Sequence, residues 1–343
     1  MTVSLWIVLV AAGLVALLLT GALRRYALAR SLMDVPNERS SHTIPTPRGG
    51  GVATVAAFLF TVLVLTFLHV VPHPAALALL GAGGAVALIG FLDDHGHIAA
   101  GWRLLGHFVA AAWGLFWIGA LPPLPVFGAQ MDLGALGYLF AALYLVWLLN
   151  LYNFMDGIDG IAGIEAVTVG AGAALLSWLV VPVSSGWLLP TTLAVTAAGF
   201  LFWNFPPARI FMGDAGSGFL GITLGLLSLI AAWHAPVLFW AWVILLGVFV
   251  VDATVTLLRR VRRGHRPHEA HRSHAYQYAS RRLRAHRPVS LAVGAINVLW
   301  LFPWALGVTL GWVDGAVALF LAYMPLVTAA WILKAGAPEL QEV

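Results

Sequence analysis

The sequence predicts an all-α polytopic membrane protein, and its composition, its long apolar runs and the placement of its charges each support this fold class. Hydrophobic residues make up 61% of the 343 residues and charged residues only 9%, whereas a soluble domain is near half apolar. The polar segments between the apolar runs are short. We therefore expect a single integral membrane domain over 1–343, with any functional site built into the helical bundle.

Eleven apolar runs are long enough to cross a bilayer, which requires about 20 residues. Each should be a helix, because lipid cannot satisfy the hydrogen bonds of an open backbone. The first run has no positive residue before it and no small-residue cleavage site after it, so we interpret it as a retained helix. The predicted spans are 4–23, 51–71, 75–92, 103–121, 134–152, 161–182, 186–203, 217–233, 236–258, 289–310 and 313–333.

All 18 lysine and arginine residues fall in segments that eleven spans place on one side of the membrane. The positive-inside rule makes this side cytosolic and puts the N-terminus outside, with the protein in the inner (plasma) membrane. The polar segments of the chain that carry most of its acids, amides and histidines fall on the same side. These positions predict a cytosolic-face active site built from the loops 34–51, 93–103, 150–163, 204–218 and 259–288.

One polar stretch stands out because it carries two amides and two carboxylates at the edge of a predicted span. Its polar residues follow each other at steps of three: Asn150, Asn153, Asp156 and Asp159. On a continuous helix each step would drift by about 60°, and the first and last would point in opposite directions. Gly157 and Gly160 favour a helix end and a turn, which would let the polar groups converge. An ordinary helix cap is the structural alternative to a functional site.

Two further islands contain acids. Asp93 and Asp94 end the third run, and adjacent carboxylates suit a magnesium site or a base with a shifted pKa, although a solvated helix end is the alternative. Asp214 lies among glycines where the eighth run begins. An acid there would repel a phosphate bound at the helix N-terminus unless a divalent cation bridged them, which favours a metal–pyrophosphate arrangement.

The remaining candidates are aromatic or basic. Phe211 could stack on a base or simply anchor the chain in lipid. His271 and His274 flank Arg272 and offer donors for a diphosphate, whereas a zinc site would lack a third ligand. The chain has no cysteine, which excludes thiolate zinc sites and cysteine nucleophiles. Other arginines of this loop are interpreted as lipid-headgroup anchors, Glu165 as a structural acid, and Asp252 is left open.

Five motifs occur in one order along residues 34–277. They are Pro-Thr-Pro-Arg-Gly-Gly-Gly, Gly-Phe-Leu-Asp-Asp, Asn-x-x-Asn-Phe-Met-Asp-Gly-Ile-Asp-Gly, Pro-Ala-Arg-Ile-Phe-Met-Gly-Asp-Ala-Gly-Ser and His-Arg-Ser-His. This set resembles the polyprenyl-phosphate N-acetylhexosamine-1-phosphate transferases, the glycosyltransferase family 4 type that starts O-antigen and teichoic acid linkage synthesis. The peptidoglycan translocase is a relative, but its triple-histidine run is absent here.

The resemblance implies that polyprenyl phosphate, undecaprenyl phosphate in a bacterium, reacts with a UDP-N-acetylhexosamine to give a polyprenyl-diphospho-sugar and UMP. Mg²⁺ would be the cofactor, with Mn²⁺ as a substitute. Asp214 would bind the metal together with Asp93 or Asp94, one of which could instead act as base for the lipid phosphate, and Asp156 would lie beside the metal. The nucleotide and sugar would contact Asn153, Asp159, Asn204, Arg209, Phe211, His271, Arg272 and His274.

Two positions depart from the family pattern, and several alternatives remain open. His97 stands where a third acid often follows the double-Asp motif, and His42 where the translocase branch has lysine. A phospho-N-acetylmuramoyl-pentapeptide transferase is the alternative enzyme. A lipid-linked sugar transporter would need polar residues at the bilayer midplane, and the Asp-Gly-x-x-Ala-Arg pattern of CDP-alcohol phosphatidyltransferases is absent. The sugar is undetermined, a homodimer is possible, and no nucleic acid partner is expected.

Overall fold

The computed structural model describes residues 3–36, 44–96, 98–182, 185–266 and 271–338. Within these ranges the protein is all-α apart from two short hairpins, which confirms the predicted fold class. Parts of two predicted site loops, 37–43 with His42 and 267–270, lie outside the described residues, and so does His97.

Each of the eleven predicted runs is occupied by a helix, with ends shifted by a few residues. Among the described residues, seven helices are long and apolar enough to cross a membrane, or eight if one bent pair counts as a span. The number of spans and the side of the N-terminus therefore stay predictions. The helices are α1 (Val3–Ala29), α2 (Gly51–Phe67), α3 (His73–His95), α4 (Ala100–Ile118), α5 (Leu136–Met155), α6 (Ile161–Val180), α7 (Leu188–Asn204), α8 (Asp214–His234), α9 (Val237–Leu245), α10 (Gly247–Arg262), α11 (Ala275–Leu283), α12 (Arg287–Thr309) and α13 (Gly315–Ile332).

The predicted span 236–258 is not one straight helix, because α9 and α10 meet at an angle of 68°. The hydroxyl of Tyr323 in α13 donates a hydrogen bond of 2.5 Å to the carbonyl of Val243. That carbonyl is the one to which the N–H of Gly247 would bond in a continuous helix. A side chain inserted into the backbone hydrogen-bond ladder is a recognised cause of a kink, and it accounts for the break.

Helix α8 forms the centre of the bundle. Of its most apolar window 94% is buried, against 22% for α13, which lies at the edge. Helices α2, α3 and α5 pack around it. Because α8 begins at Asp214, the most buried helix of the protein starts at a carboxylate, and its neighbours set what surrounds that carboxylate.

Two antiparallel hairpins complete the fold. One pairs β1 (Met33–Asp34) with β2 (Thr46–Pro47), next to the start of α2. The other pairs β3 (Leu124–Val126) with β4 (Ala129–Met131) and contacts the start of α13, where Asp314 accepts the N–H of Phe127. The second hairpin therefore lies at the end of the bundle remote from Asp214.

Candidate functional site

The acidic centre of the site is formed where the last turn of α3 meets the first turn of α8. Asp94 Oδ1 accepts the backbone N–H of Asp214 at 3.2 Å, and its Oδ2 accepts that of Ala215 at 3.4 Å. The Asp94 carboxylate thus satisfies two N–H groups that a helix start leaves unpaired. The structure places the double-Asp motif and Asp214 side by side, as the sequence suggested.

Two arginines connect these carboxylates. The guanidinium of Arg48 lies 2.5 Å from Asp94 and 3.2 Å from Asp214, measured from Nη2 to Oδ1. Arg103 pairs with Asp93 and lies 4.0 Å from Asp214 Oδ2. Burial lowers the pKa of Arg48, but the charges of Asp94 and Asp214 outweigh burial and leave its pKa above the ordinary value. Each arginine therefore joins Asp214 to one member of the double-Asp motif.

A close approach of two helices fixes this geometry. A Cβ atom at Gly90 would lie 2.5 Å from the carbonyl carbon of Asp214 and 2.6 Å from the amide nitrogen of Ala215. Only glycine therefore allows α3 to come this near to the backbone of α8. Because Asp94 follows Gly90 by one helical turn, the contact at Gly90 sets its distance to Asp214.

The stretch from Asn150 to Gly163 turns where the sequence predicted. Helix α5 ends at Met155 and α6 begins at Ile161, after Gly160 with a φ of +77°. Asn153 donates to the hydroxyl of Ser217 in α8 at 3.0 Å, which ties the end of α5 to the acidic centre. Asn150 bonds back to its own helix through the carbonyl of Val146.

Asp156 lies in this turn and is half-buried. Burial raises its pKa well above the ordinary aspartate value, and the charges of Asp214 and Asp159 raise it further against the opposing charge of Arg48. The charge of Asp214 therefore acts on Asp156, and the expected place of Asp156 beside a metal stays a prediction. A carboxyl in this setting gains strongly from any added positive charge.

Asp159 faces a different set of partners. Its Oδ2 accepts the N–H of Ala208 at 3.0 Å, its Oδ1 lies 3.2 Å from Nδ1 of His286, and its carbonyl accepts the hydroxyl of Ser290 at 2.7 Å. The residue connects the turn to the loop before α8 and to the start of α12. The polar groups of the stretch thus do not all converge on one point. The charge of Asp214 acts on Asp156, whereas Asp159 bonds the neighbouring loop.

Asn204 was expected to contact the nucleotide or sugar, but its position is that of a brace. Its side chain is buried, with Oδ1 accepting the N–H of Gly160 at 2.9 Å and Nδ2 donating to the carbonyl of Ile210 at 3.0 Å. Both ends of the amide are used by the backbone. Asn204 therefore fixes two loops to each other, and its expected contact with the nucleotide or sugar stays a prediction.

Arg209 and Phe211 lie on the loop that Asn204 holds. The Arg209 side chain is exposed, and its guanidinium lies 5.9 Å from the ring centre of Trp203. The backbone of Phe211 pairs with the glycine-rich loop, because its N–H donates to Pro47 and its carbonyl accepts from Gly50, each at 2.8 Å. The structure therefore brings the glycine-rich motif and the Arg209–Phe211 motif together.

The two histidines of the last motif differ in their surroundings. His274 is buried, and Asp252 accepts from its ring nitrogen at 3.3 Å and from the N–H groups of Ala275 and Tyr276 at 2.9 and 3.0 Å. Asp252, whose role the sequence did not decide, is thus a structural acid that holds the start of α11. Through its bond to Asp252, His274 helps to fix the loop to α10, and its expected contact with a diphosphate stays a prediction.

His271 and Arg272 remain half-exposed on the loop. The ring nitrogen Nδ1 of His271 lies 3.1 Å from the hydroxyl of Ser273 and accepts the N–H of Ser273 at 3.4 Å. Burial, with the charges of His274 and Arg260, lowers the pKa of His271 to about 3. The ring is therefore neutral at physiological pH and carries its proton on Nε2, which leaves that nitrogen as a hydrogen-bond donor.

The loop also contacts the Asn150–Gly163 stretch directly. The hydroxyl of Tyr276 donates to the carbonyl of Phe154 at 3.0 Å, and the rings of Phe154 and His274 lie 6.5 Å apart. Segments that are more than 100 residues apart in the sequence, such as Phe154 and Tyr276, therefore meet at one end of the bundle.

Three residues without a predicted role of their own lie at the site. Arg48 belongs to the glycine-rich motif, whereas Arg103 and His107 lie outside all five motifs. His107 is buried and lines, with Asp93, Arg103, Asn150, Asn153 and Asp214 among others, a cavity of about 30 Å³. The spacing of four between Arg103 and His107 was the available signal, because it places both side chains on the same helix face.

The acidic centre can be tested for its fit to Mg²⁺. Among the described residues, no group of three or more acidic or histidine side chains is arranged to hold a metal ion by itself. However, Mg²⁺ is usually held by one or two carboxylates together with substrate phosphates and water. Asp94 and Asp214, which share the guanidinium of Arg48, supply hard oxygen donors of this kind. The donor set therefore suits a magnesium ion held jointly with a phosphorylated substrate.

Comparisons with known proteins point in one direction. Residues 76–232 match the family described as Glycosyl transferase family 4. The chain is 28% identical over 301 residues to a probable undecaprenyl-phosphate N-acetylglucosaminyl 1-phosphate transferase of Bacillus subtilis, covering 84% of this chain and 80% of that protein. It is 28% identical over 366 residues to a decaprenyl-phosphate N-acetylglucosaminephosphotransferase of Mycolicibacterium smegmatis, covering 92% and 87%. It is 30% identical over 232 residues to a phospho-N-acetylmuramoyl-pentapeptide-transferase of Moorella thermoacetica, covering 63% and 69%.

Proposed function

Because this chain belongs to glycosyl transferase family 4, we propose that it transfers an N-acetylhexosamine-1-phosphate group from a UDP-sugar to polyprenyl phosphate and releases UMP. The product would start a lipid-linked cell-envelope glycan. Two of the relatives are named as polyprenyl-phosphate N-acetylglucosamine phosphotransferases, which supports the lipid acceptor and the sugar class. The observation that carries the proposal is the meeting of Asp94, Asp214 and Arg48 at the start of the most buried helix.

The chemistry suits such a centre. An oxygen of the lipid phosphate would attack the phosphorus that bears the sugar, the bond from that phosphorus to the oxygen of UMP would break, and UMP would leave with the electron pair. Both reactants are anions, so positioning and charge neutralisation matter more than covalent catalysis. Asp94 and Asp214 would hold Mg²⁺, or Mn²⁺ in its place, whose charge would stabilise the diphosphate as negative charge develops.

We assign different roles to the two adjacent acids, Asp93 and Asp94. Asp94 contacts two backbone N–H groups of α8 and Arg48, and in this proposal it is an acid that would hold the metal. Asp93 lines the cavity with Arg103 and His107, and it is the better-placed acid to receive the lipid phosphate or its proton.

The proposed nucleotide and sugar contacts follow from what remains accessible. Exposed or half-exposed side chains among the predicted contacts are Arg209, Phe211, His271 and Arg272. The Nε2–H group of His271 and the guanidinium of Arg272 would donate to the diphosphate, and Phe211 would stack on uracil. Further uridine contacts would come from Asn153 and Asp159, and Asn204 and His274 would hold the loops that present these groups.

A second candidate substrate is favoured by one comparison. The Moorella relative is named as a phospho-N-acetylmuramoyl-pentapeptide-transferase, and the second candidate for this chain is therefore transfer of that larger phosphosugar. The missing triple-histidine run argues for the smaller sugar. Location in the inner membrane with a cytosolic site is supported by the one-sided distribution of all 18 basic residues, and a homodimer remains part of the proposal.

The test is a transfer assay with purified protein, polyprenyl phosphate, Mg²⁺ and a panel of UDP-sugars. The panel includes UDP-N-acetylglucosamine, the FucNAc and QuiNAc nucleotides, and UDP-N-acetylmuramoyl-pentapeptide. We expect UMP release and a lipid-linked product with an N-acetylhexosamine. Absence of release with every sugar, beside an active control enzyme, would overturn the proposal, and release only with the pentapeptide substrate would favour the second candidate.

A matched pair of variants tests the metal assignment. Asp214→Ala should abolish transfer while the protein still folds. Asp132→Ala is the control, because Asp132 is an exposed carboxylate that bonds only locally, to the N–H of Gly134. Full activity in Asp214→Ala would contradict the assignment of Asp214.

A further inference from the structure

After the last helix, the chain folds back onto the site. We call residues 334–337 the C-terminal strap. Ala335 is fully buried, and the N–H of Gly336 donates to the carbonyl of Ser273 at 2.6 Å. The ammonium of Lys334 lies 5.4 Å from the ring centre of Tyr278. The strap therefore contacts both the His271–His274 loop and α11, which follows that loop.

Two arginines at the end of α10 hold the strap from the other side. Nη1 of Arg259 donates to the carbonyl of Ala335 at 2.6 Å, and Nη1 of Arg263 donates to the carbonyl of Gly336 at 2.5 Å. They are four residues apart and so lie on one face of the helix. Basic side chains in the last helical turn are well placed to donate to carbonyl groups. These two arginines thus have a structural role beyond the expected anchoring to lipid headgroups.

The strap requires glycine at one position. Gly336 has a φ of +68°, and a Cβ atom there would lie 2.7 Å from the carbonyl oxygen of Thr256 and 2.9 Å from Cβ of Arg259. Any side chain would strain the backbone and push the strap away from α10. The hydrogen bond from Gly336 to Ser273 would then be lost.

Ser273 transmits this contact to the site. It lies between the two histidines, and both its N–H and its hydroxyl contact Nδ1 of His271. Asp252 already fixes the following residues of the loop through His274, Ala275 and Tyr276. The strap is the contact that fixes the carbonyl of Ser273, on the side of the loop that carries His271.

We propose that the C-terminal strap is a positioning element of the active site: it holds Ser273 and thereby keeps His271 and Arg272 where they can meet the diphosphate of the UDP-sugar. The inference rests on the proposed function for its substrate. It gives residues 334–337, which lie outside the predicted site residues, a role in substrate affinity. The alternative is that the strap only stabilises the end of the bundle.

The first experiment compares Arg263→Ala with Arg262→Ala in the full-length protein in detergent micelles. Both changes remove one exposed positive charge at the end of α10, and the two residues differ in that Arg263 donates a hydrogen bond to the carbonyl of Gly336 in the strap. We expect Arg263→Ala to raise KM for the UDP-sugar by about three- to tenfold, as for loss of one charged hydrogen bond, with kcat changed less. Amide hydrogen exchange in residues 271–276 should rise in the same variant. Arg262→Ala should match the unmodified protein in both measurements.

The second experiment compares Gly336→Ala with Gly311→Ala. Both glycines have positive φ, +68° and +74°, but nothing lies within 4 Å of a Cβ atom at Gly311. Backbone strain is thus matched, and only Gly336→Ala should displace the strap. We expect a larger rise in KM and in exchange than for Arg263→Ala. If Gly336→Ala fails to fold, the Arg263 and Arg262 pair still decides the question.

The outcomes separate the strap from the proposed function. Unchanged KM and unchanged exchange at 271–276 in Arg263→Ala and Gly336→Ala, with only a lower unfolding temperature, would show that the strap merely stabilises the bundle. If the unmodified protein transfers none of the sugars, the proposed function fails. Exchange at 271–276 then still decides whether the strap orders the loop, and an unchanged value would overturn the proposal.

Discussion

The carboxylate of Asp94 caps the helix that begins at Asp214, with hydrogen bonds of 3.2 and 3.4 Å to the N–H groups of Asp214 and Ala215. The same carboxylate pairs with Arg48. One side chain therefore stabilises the start of the central helix and contributes charge to the acidic centre. Substitutions that separate capping from charge can tell which of these two contributions matters for activity.

Asp94→Asn and Asp94→Ala make this separation. Asparagine keeps one acceptor oxygen but replaces the other with an NH2 group, so Asp94→Asn can accept only one of the two N–H groups and should lose less stability than Asp94→Ala, for which we expect a loss of about 0.5–2 kcal/mol. Both should lower kcat for UMP release by about a hundredfold or more, because a preorganised charge is lost. Thermal unfolding and the transfer assay measure the two effects. Full activity in Asp94→Asn would show that only capping matters.

Gly90→Ala should separate α3 from α8. The added methyl group would overlap the backbone of Asp214 and Ala215, at distances of 2.5 to 2.6 Å. We expect a loss of at least about 1–3 kcal/mol of stability and a large fall in kcat, because Asp94 would move away from Asp214. Gly101→Ala is the control, since Gly101 is also near a helix end but has open space around it. Equal behaviour of the two variants would contradict this account of the helix contact.

Substitutions at Glu165 test a buried hydrogen bond between α6 and α12. Its Oε2 accepts a hydrogen bond of 2.7 Å from Nδ2 of Asn297, and both side chains are buried between α6 and α12. Glutamine has the same shape and can still accept this bond, so Glu165→Gln should retain most of the stability. Glu165→Ala leaves Asn297 without this partner and should cost about 2 kcal/mol, measured by unfolding in detergent. Equal losses in Glu165→Gln and Glu165→Ala would contradict this account and would show that the negative charge itself is required.

The lowered pKa of His271 leads us to expect that the stability of the protein depends on pH. Burial, with the charges of His274 and Arg260, lowers its pKa to about 3, below the ordinary value of 6.5. The folded loop therefore favours the neutral ring. The contribution of this neutral ring to the free energy of unfolding is fully present above pH 6.5 and is lost as the pH falls from 6.5 towards 3.

The measurement compares the unfolding temperature at about pH 7.5 and about pH 5. The drop should be smaller in His271→Gln than in the unmodified protein. His73→Gln, at an exposed histidine at the start of α3, should show the full drop. An equal drop in all three proteins would rule out His271 as the group that causes it.

The sequence by itself determined the fold class, the helical runs and the positions of the polar islands. The physical reason is that a bilayer cannot satisfy an open backbone, so each long apolar run must be helical whatever it packs against. The turn between Met155 and Ile161 was also predictable, because the steps of three are incompatible with one polar face on a continuous helix. The motifs likewise indicated the family.

Only the tertiary structure decided which side chains meet. Arg48 and Asp214 are 166 residues apart, and no local pattern shows that one guanidinium joins two carboxylates there. The sequence predicts ligand contacts for Asn204 and His274, and only the structure shows that their hydrogen bonds also hold distant segments together. The bend between α9 and α10 depends on Tyr323 from a later helix, and the need for glycine at position 336 depends on Thr256. These features depend on contacts between distant segments, which are set by packing and not by the local sequence.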